Sequence, residues 1–360
     1  MKSSFSAPVR MTMKRYGFLL ILAFALLTLP ARAQDTGDSP DEGTITKVGT
    51  TSAQFLKLGV GARAIALGGS FVAEANDLST LYWNPAGLST LSGGAVQLAH
   101  TQYLADISYN FAAFGTNLGN IGTIAASIIF LDSGEMDVRT ADEPEGTGER
   151  FKSQNFAIQL SYGRALTDRF SLGGSVKFIQ ERIWHSTASS IAFDFGTLFT
   201  TPYERLRLGA SMSNFGPKMR MDGRDIFFSD DPNPNTDGNV EIVNAEYKTD
   251  EFALPLIFRV GLAWDAFRTS NHRLVLSSDA AHPNDNSEYV NVGGEYSFRG
   301  LIALRAGYRN LFEEDGEEGL TFGAGLNLRV DRSLRARFDY AYADFGRLEQ
   351  THWFTVDLSF

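Results

Sequence analysis

The chain has 360 residues, with 32 Lys and Arg against 42 Asp and Glu. The first 33 hold five of the basic residues and no acid, so the remainder carries 27 basic against 42 acidic groups and makes a poor polyanion binder, which argues against nucleic acid as a partner. With no cysteine, disulfides, Cys-ligated metal centres, thiol catalysis and a lipidated N-terminal cysteine are excluded, and 28 Phe and 35 Gly beside only 11 Pro suggest many strands.

Lys14-Arg15 precedes an apolar run from Tyr16 to Leu29, and Ala31-Arg32-Ala33 follows as an A-x-A site. This is the tripartite pattern of a secretory signal peptide, expected to be cleaved after Ala33; the run is too short to span a membrane as a helix. Residues 34–46 are acidic and rich in Gly and Pro, and read as a flexible lead-in. Residues 47–93 form a separate unit without strand-like alternation. Gly59, Gly61, Gly68 and Gly69 imply backbone packed tightly inside something, Ala62–Leu67 predicts a short helix, and Ser70–Ala75 a strand or second helical turn. Asn84-Pro85 reads as a helix start, with Asn capping and Pro in the first turn.

From residue 94 onward, segments of ten to fifteen residues alternate apolar with small or polar side chains. The last is the clearest: Phe354, Val356, Leu358 and Phe360 share one face, Thr355, Asp357 and Ser359 the other. The segments are long for a soluble sandwich but suit tilted membrane strands. Fourteen are counted, at 94–103, 107–117, 120–131, 152–165, 169–184, 187–200, 205–215, 253–267, 272–282, 287–298, 300–309, 318–330, 332–343 and 350–360. The number is even, and the three longest connections, 132–151, 216–252 and 310–317, all follow odd-numbered strands, so all emerge on one face. The expected fold is all-β: a fourteen-stranded antiparallel transmembrane outer-membrane barrel over 94–360, with 47–93 as a plug in its lumen.

The stretch Lys57–Leu88, KLGVGARAIALGGSFVAEANDLSTLYWNPAGL, resembles the N-terminal signature of the PorV/PorQ family, within the wider group of FadL-like outer-membrane barrels. Asn84-Pro85-Ala86-Gly87-Leu88 carries the resemblance first, then Gly61-Ala62-Arg63-Ala64 and the Gly68-Gly69 pair. The resemblance implies an N-terminal hatch and a role in the type IX secretion system, whose components and secreted client proteins would be the partners. Those clients carry a C-terminal β-sandwich signal domain. With an outer-membrane location, lipids and lipopolysaccharide are the surroundings. The chain departs from the group's long-chain fatty-acid transporters by being shorter and by lacking an obviously hydrophobic long loop. A FadL-like transporter of hydrophobic small molecules is the rival expectation, and a purely structural barrel a third.

Within the 216–252 loop, Met219, Met221, Ile226, Phe227 and Phe228 are apolar and sit where a partner would be gripped near the membrane surface. On strands eleven to fourteen, Arg305, Arg309, Arg329, Arg335, Arg337, Asp339 and Asp357 have lumen-facing parity, with Glu295 and Asp265 nearby. Such charges are expected to pair across strands and clamp the plug rather than to line a path for a permeant. Gly59-Val60-Gly61 mimics a dinucleotide fingerprint but lacks the βαβ context. The five histidines have no metal-ligand spacing, no Gly-x-Ser-x-Gly elbow occurs, and the calcium-like loop Asp230–Gly238 is interrupted by two prolines. No enzyme activity, cofactor or metal is expected.

Overall fold

The computed structural model describes residues 47–203, 205–231, 243–313, 316–348 and 350–360. The expected signal peptide and lead-in, and most of the Asp230–Gly238 loop, lie outside the described residues.

The wall consists of β1 (Gly94–Gln102), β2 (Ser108–Asn117), β3 (Thr123–Asp137), β4 (Arg150–Ala165), β5 (Phe170–Ile183), β6 (Ser186–Thr200) and β7 (Leu206–Phe215). It continues with β8 (Ile257–Arg268), β9 (His272–Pro283), β10 (Tyr289–Phe298), β11 (Ile302–Leu311), β12 (Leu320–Arg329), β13 (Arg335–Asp344) and β14 (Gln350–Ser359). Each strand pairs antiparallel with its sequence neighbours, and β14 returns to β1, with Ala95 opposite Ser359 through to Gln102 opposite His352. Closure leaves no strand edge in the wall, which is the condition for β-structure in hydrocarbon, where an unpaired peptide group has no water to turn to.

The side chains are sorted the opposite way from a soluble protein. On β6, Ile191, Phe193 and Phe195 are 50%, 43% and 51% exposed, while Asp194 between them is 1% exposed. Leu98, Phe114, Ile158, Leu160, Phe258 and Phe354 likewise face outward. Such an apolar exterior over a polar interior is stable only with lipid outside. The strands match the expected segments closely. One difference is at β3 and β4, which run on as a hairpin past the bilayer, so the expected 132–151 loop contracts to 138–149.

Residues 47–93 fill the lumen with four short helices, Gln54–Lys57, Ala62–Ala66, Thr80–Trp83 and Pro85–Thr90. Asn84 caps the last of them, its side chain accepting from Ala86 N at 3.1 Å, as the Asn-Pro pair predicts. Ser70–Ala75 is neither strand nor helix. It is a run of turns whose Phe71 and Val72 amides donate to the Asp279 carboxylate of β9 at 2.7 and 2.8 Å. The segment touches the wall on many sides. Ser52 N donates to Ala253 O at 2.9 Å, Ala62 N to Thr355 Oγ1 at 2.9 Å, and Gln159 Nε2 to Leu81 O at 2.8 Å.

Strand glycines make room for this contact. A Cβ on Gly209 of β7 would lie 2.5 Å from Val72 O, and one on Gly163 of β4 would lie 2.7 Å from Leu88 Cβ. Gly173 and Gly196 press in the same way on Pro85 and Asn84, as do Gly293 and Gly307 on Leu67 and Gly68. The plug's own Gly68 (φ 67°) sits where β10 and β11 shift register between Val290 and Val292, and a Cβ there would meet Tyr308 O at 2.6 Å. Only glycine fits both the backbone angle and the space.

Candidate functional site: the ion-clamped plug and the loop above it

Charge clamps one side of the plug. Arg63, on the Ala62–Ala66 helix, is 6% exposed and reaches three carboxylates: Glu295 of β10 (2.9 Å), Glu74 (3.1 Å) and Asp77 (3.4 Å), the last two in the plug. Arg305 of β11 bridges Glu295 and Asp339, both at 2.7 Å. Arg337 of β13 reaches Asp77 at 2.8 Å, Asp339 at 2.9 Å and Asp357 at 3.3 Å. On the other flank Arg207 of β7 pairs with Glu74 and with Asp265, while Arg273 of β9 lies 2.7 Å from Asp265 and 3.5 Å from Glu74.

Five guanidiniums thus share six carboxylates, and the chain of contacts runs from β7 through the plug to β14. Buried charge is tolerated here because every group but Asp357, which meets Arg337 alone, faces two or more of opposite sign. Guanidinium forks suit the task, since each can address two or three carboxylates at fixed angles. A second anchor ties the start of the plug to the opposite rim. Thr51 Oγ1, Gln54 Nε2 and Lys57 Nζ bond Asp285, in the loop after β9, at 2.7, 3.0 and 3.0 Å. Burial alone would raise the Asp285 carboxyl, but those hydrogen bonds and the Lys57 charge outweigh it and hold its pKa below the ordinary carboxylate range.

The residues expected to be functional separate into groups. Arg305, Arg337, Asp339 and Asp357 meet in the clamp with Arg63. Arg309 faces the lumen but lies apart, 2.9 Å from Glu318 and over the Phe345 ring. Arg329 and Arg335 have the lumen-facing parity but lie exposed at the short-turn end, below the clamp, because face parity does not give depth along a strand; Arg335 lines the same cavity as Arg337, Asp77 and Asp357. In the plug motif, Gly61 (φ 85°) precedes the helix, and Gly69 (φ 79°) turns back against Trp83 and Asn291. Asn84 Nδ2 donates to Val72 O and Thr197 O at 2.8 and 2.9 Å, and Pro85, Ala86, Gly87 and Leu88 are buried against the wall.

The 216–252 loop divides into a base and a tip. Met219 is wholly buried with Leu254 in the core cluster, and Met221 is half-buried against that cluster, so both belong to the base of the loop and not to its exposed tip. Met219–Arg220 pairs with Glu251–Phe252, and Asp222–Gly223 adds to β6 beside Ser186–Thr187. Above this base, Phe227–Asp230 and Val243–Glu246 form a hairpin. There Phe227 and Phe228 are 55% and 37% exposed, and Phe228 stacks on Tyr247 at 4.5 Å. Ile226 is half-buried at its foot. Sequence reasoning missed Arg207, Arg273, Asp279, Asp285 and Tyr247. The first three had a signal, since they share the lumen-facing parity of their strands; the last two had none.

The sequence matches the family described as "Type IX secretion system protein PorV" over residues 41–230, just over half of the chain. The chain belongs to the PorV family. It is therefore a type IX secretion system outer-membrane barrel, not a member of an enzyme family. No curated protein sequence matches it. Solved structures share its fold, two toluene transporters among them. The Ralstonia pickettii toluene transporter TbuX aligns with TM-score 0.52 at 12% identity, over 83% of this chain and 97% of that one. The Pseudomonas putida toluene transporter TodX aligns with the same score and identity, over 83% and 96%. At that identity the likeness speaks for the FadL-like barrel alone.

Proposed function

We propose that this PorV-family barrel is a binding platform for secreted proteins, with residues 47–93 as a fixed hatch and the loop between β7 and β8 as the gripping element. Export would follow cleavage near Ala33 of the N-terminal leader, and the partners would be secreted clients and other type IX components within the lipid and lipopolysaccharide of the outer membrane. The observation that carries the reading is the aromatic hairpin. Phe227, Phe228 and Tyr247 stand exposed on a base that is locked by Met219, by two short strand pairs and by the Arg220–Glu251 ion pair at 2.6 Å. Aromatic side chains held on a rigid base, outside the bilayer, lose little freedom on binding and contribute large contact area.

Transport of hydrophobic small molecules is the second reading. It has the fold of two toluene transporters behind it. The cavities beside the clamp suit it poorly: one of about 280 Å³ is lined by Arg63, Arg273, Glu295, Arg305 and Arg337, a setting for water and ions. The test is the double substitution Phe227→Asp with Phe228→Asp in the otherwise intact chain. Secreted proteins should stop co-purifying with the barrel and their export should fall, while the barrel stays folded. Unimpaired export, together with lost uptake of a hydrophobic tracer in a plug variant, would move the assignment to transport.

A further inference from the structure

The two ends of the barrel are charged in opposite senses. At the end that bears the short turns, six arginines ring the mouth: Arg164, Arg169, Arg205, Arg268, Arg299 and Arg332, all exposed. In the sequence the acids of those turns are Asp168, Glu204 and Asp331, so the arginines outnumber them two to one. Only Arg268 has a carboxylate within salt-bridge reach among the described residues, Asp265 at 3.6 Å. The opposite end is acid-rich; the one connection between β3 and β4 carries Asp142, Glu143, Glu145 and Glu149. Short turns face the periplasm in outer-membrane barrels, so the arginine ring lies at the level of the inner leaflet.

Five of the six also stand next to an outward apolar group on the same side of the wall or turn. Arg164 follows Tyr162 on the lipid face of β4, and Arg205 follows Tyr203 (79% exposed); Arg268 is the exception, its side chain turned inward to Asp265 while Phe267 (51% exposed) faces out. Arg299 lies over the Phe298 ring at 5.1 Å, and Leu166 and Val330 stand beside the turns that hold Arg169 and Arg332. The repeating unit is an acyl-chain contact with a phosphate-binding fork immediately below it.

We propose that this ring binds the phosphate headgroups of anionic phospholipid in the periplasmic leaflet, giving the barrel a selective lipid annulus. Three features favour lipid over a protein partner. The arginines stand at the ends of β4, β6, β8, β10 and β12 and in the turns beyond them, five of the six short connections, and so spread around the barrel rather than form a patch on one side. The apolar neighbours point into the bilayer. All six cations are Arg and none is Lys, as suits bidentate phosphate recognition at an interface.

The full-length barrel is reconstituted in phosphatidylcholine with a minor fraction of phosphatidylglycerol, and annular selectivity is read with spin-labelled phosphatidylglycerol against spin-labelled phosphatidylcholine. One arginine near an anionic surface is worth roughly fivefold in partition at low salt. Wild type should favour phosphatidylglycerol several-fold at 50 mM salt, and most of that preference should vanish at about 0.5 M, where the screening length falls to a few ångströms. The combined Arg164→Gln, Arg205→Gln, Arg299→Gln and Arg332→Gln variant should lose most of that selectivity while keeping heat-modifiable mobility. If that variant does not fold, the wild-type salt series decides alone. A wild-type selectivity of one, or a variant as selective as wild type, overturns the proposal. So does an acidic periplasmic protein that co-purifies with wild type and not with the variant while both have the same lipid selectivity.

Discussion

Arg63→Met tests the clamp most directly. Removing one partner from a buried ion pair typically costs about 3–5 kcal/mol, because the stranded charge stays desolvated. Here every carboxylate that Arg63 serves keeps another cation: Glu295 keeps Arg305, Asp77 keeps Arg337, and Glu74 keeps Arg207 and Arg273. The expected loss therefore sits at the low end, about 3 kcal/mol, and methionine retains packing near the Phe71 ring, 5.3 Å from the guanidinium carbon. The loss falls on plug seating, not on the wall, whose strands are closed by their own hydrogen bonds. With no native cysteine, Ser70→Cys supplies one thiol at a position 1% exposed, and maleimide labelling of the detergent-folded barrel then reports plug release. At 1.4 kcal/mol per tenfold, Arg63→Met should speed labelling by roughly two orders of magnitude. Heat-modifiable migration should not change. Arg150→Met, which breaks exposed pairs with Glu135 and Asp137, is the control and should leave labelling unaltered. Labelling within about threefold of the parent in Arg63→Met would refute the view that charge holds the plug.

Gly173→Ala places a Cβ against the Pro85–Ala86 backbone and should destabilise plug seating by about 1–3 kcal/mol through overpacking, seen as faster labelling of the same thiol; an unchanged rate would mean the plug yields there freely. Asn84→Ala removes a cap and two donors to buried carbonyls, and should release the plug by about 1–2 kcal/mol on the same readout. The Asp285 anchor should be pH-dependent. Its folded pKa lies below the unfolded value of about 3.9, so the stabilisation is complete above that value and drains away as pH falls through the folded one. Amide exchange of residues 51–57 should stay slow from pH 7 down to about 5 and quicken below about 4; if Asp285→Asn shows the same acid-induced loosening, the anchor is not the cause.

Much of this was legible because a membrane barrel writes its fold in period two. Phe354, Val356 and Leu358 outside and Thr355 and Asp357 inside could be read from β14 alone, and the even count and odd-numbered long loops then closed the barrel. What was not legible was depth and partnership. Arg329 and Arg335 have the same parity as Arg337, yet only Arg337 lies high enough to meet Asp77, a residue 260 positions away. Arg207 and Glu74 are 133 positions apart, and nothing local in either sequence names the other. The strand glycines could be read as a small, polar lining, but their purpose shows only once the plug is in place. Gly163, Gly173 and Gly196 on β4–β6 admit the Asn84–Leu88 backbone by shape, while Arg305, Arg337 and the carboxylates opposite hold the Arg63 side by charge. Shape fit acts only at contact and charge acts over several ångströms, so the charged flank can begin to part while the glycine flank still holds. Displacing the hatch then requires breaking both kinds of contact, which share β7, β10 and β11 and extend beyond them on either side. Partner engagement at the hairpin bearing Phe227 and Phe228, as proposed, would require neither, and that difference favours binding at the rim over passage through the lumen.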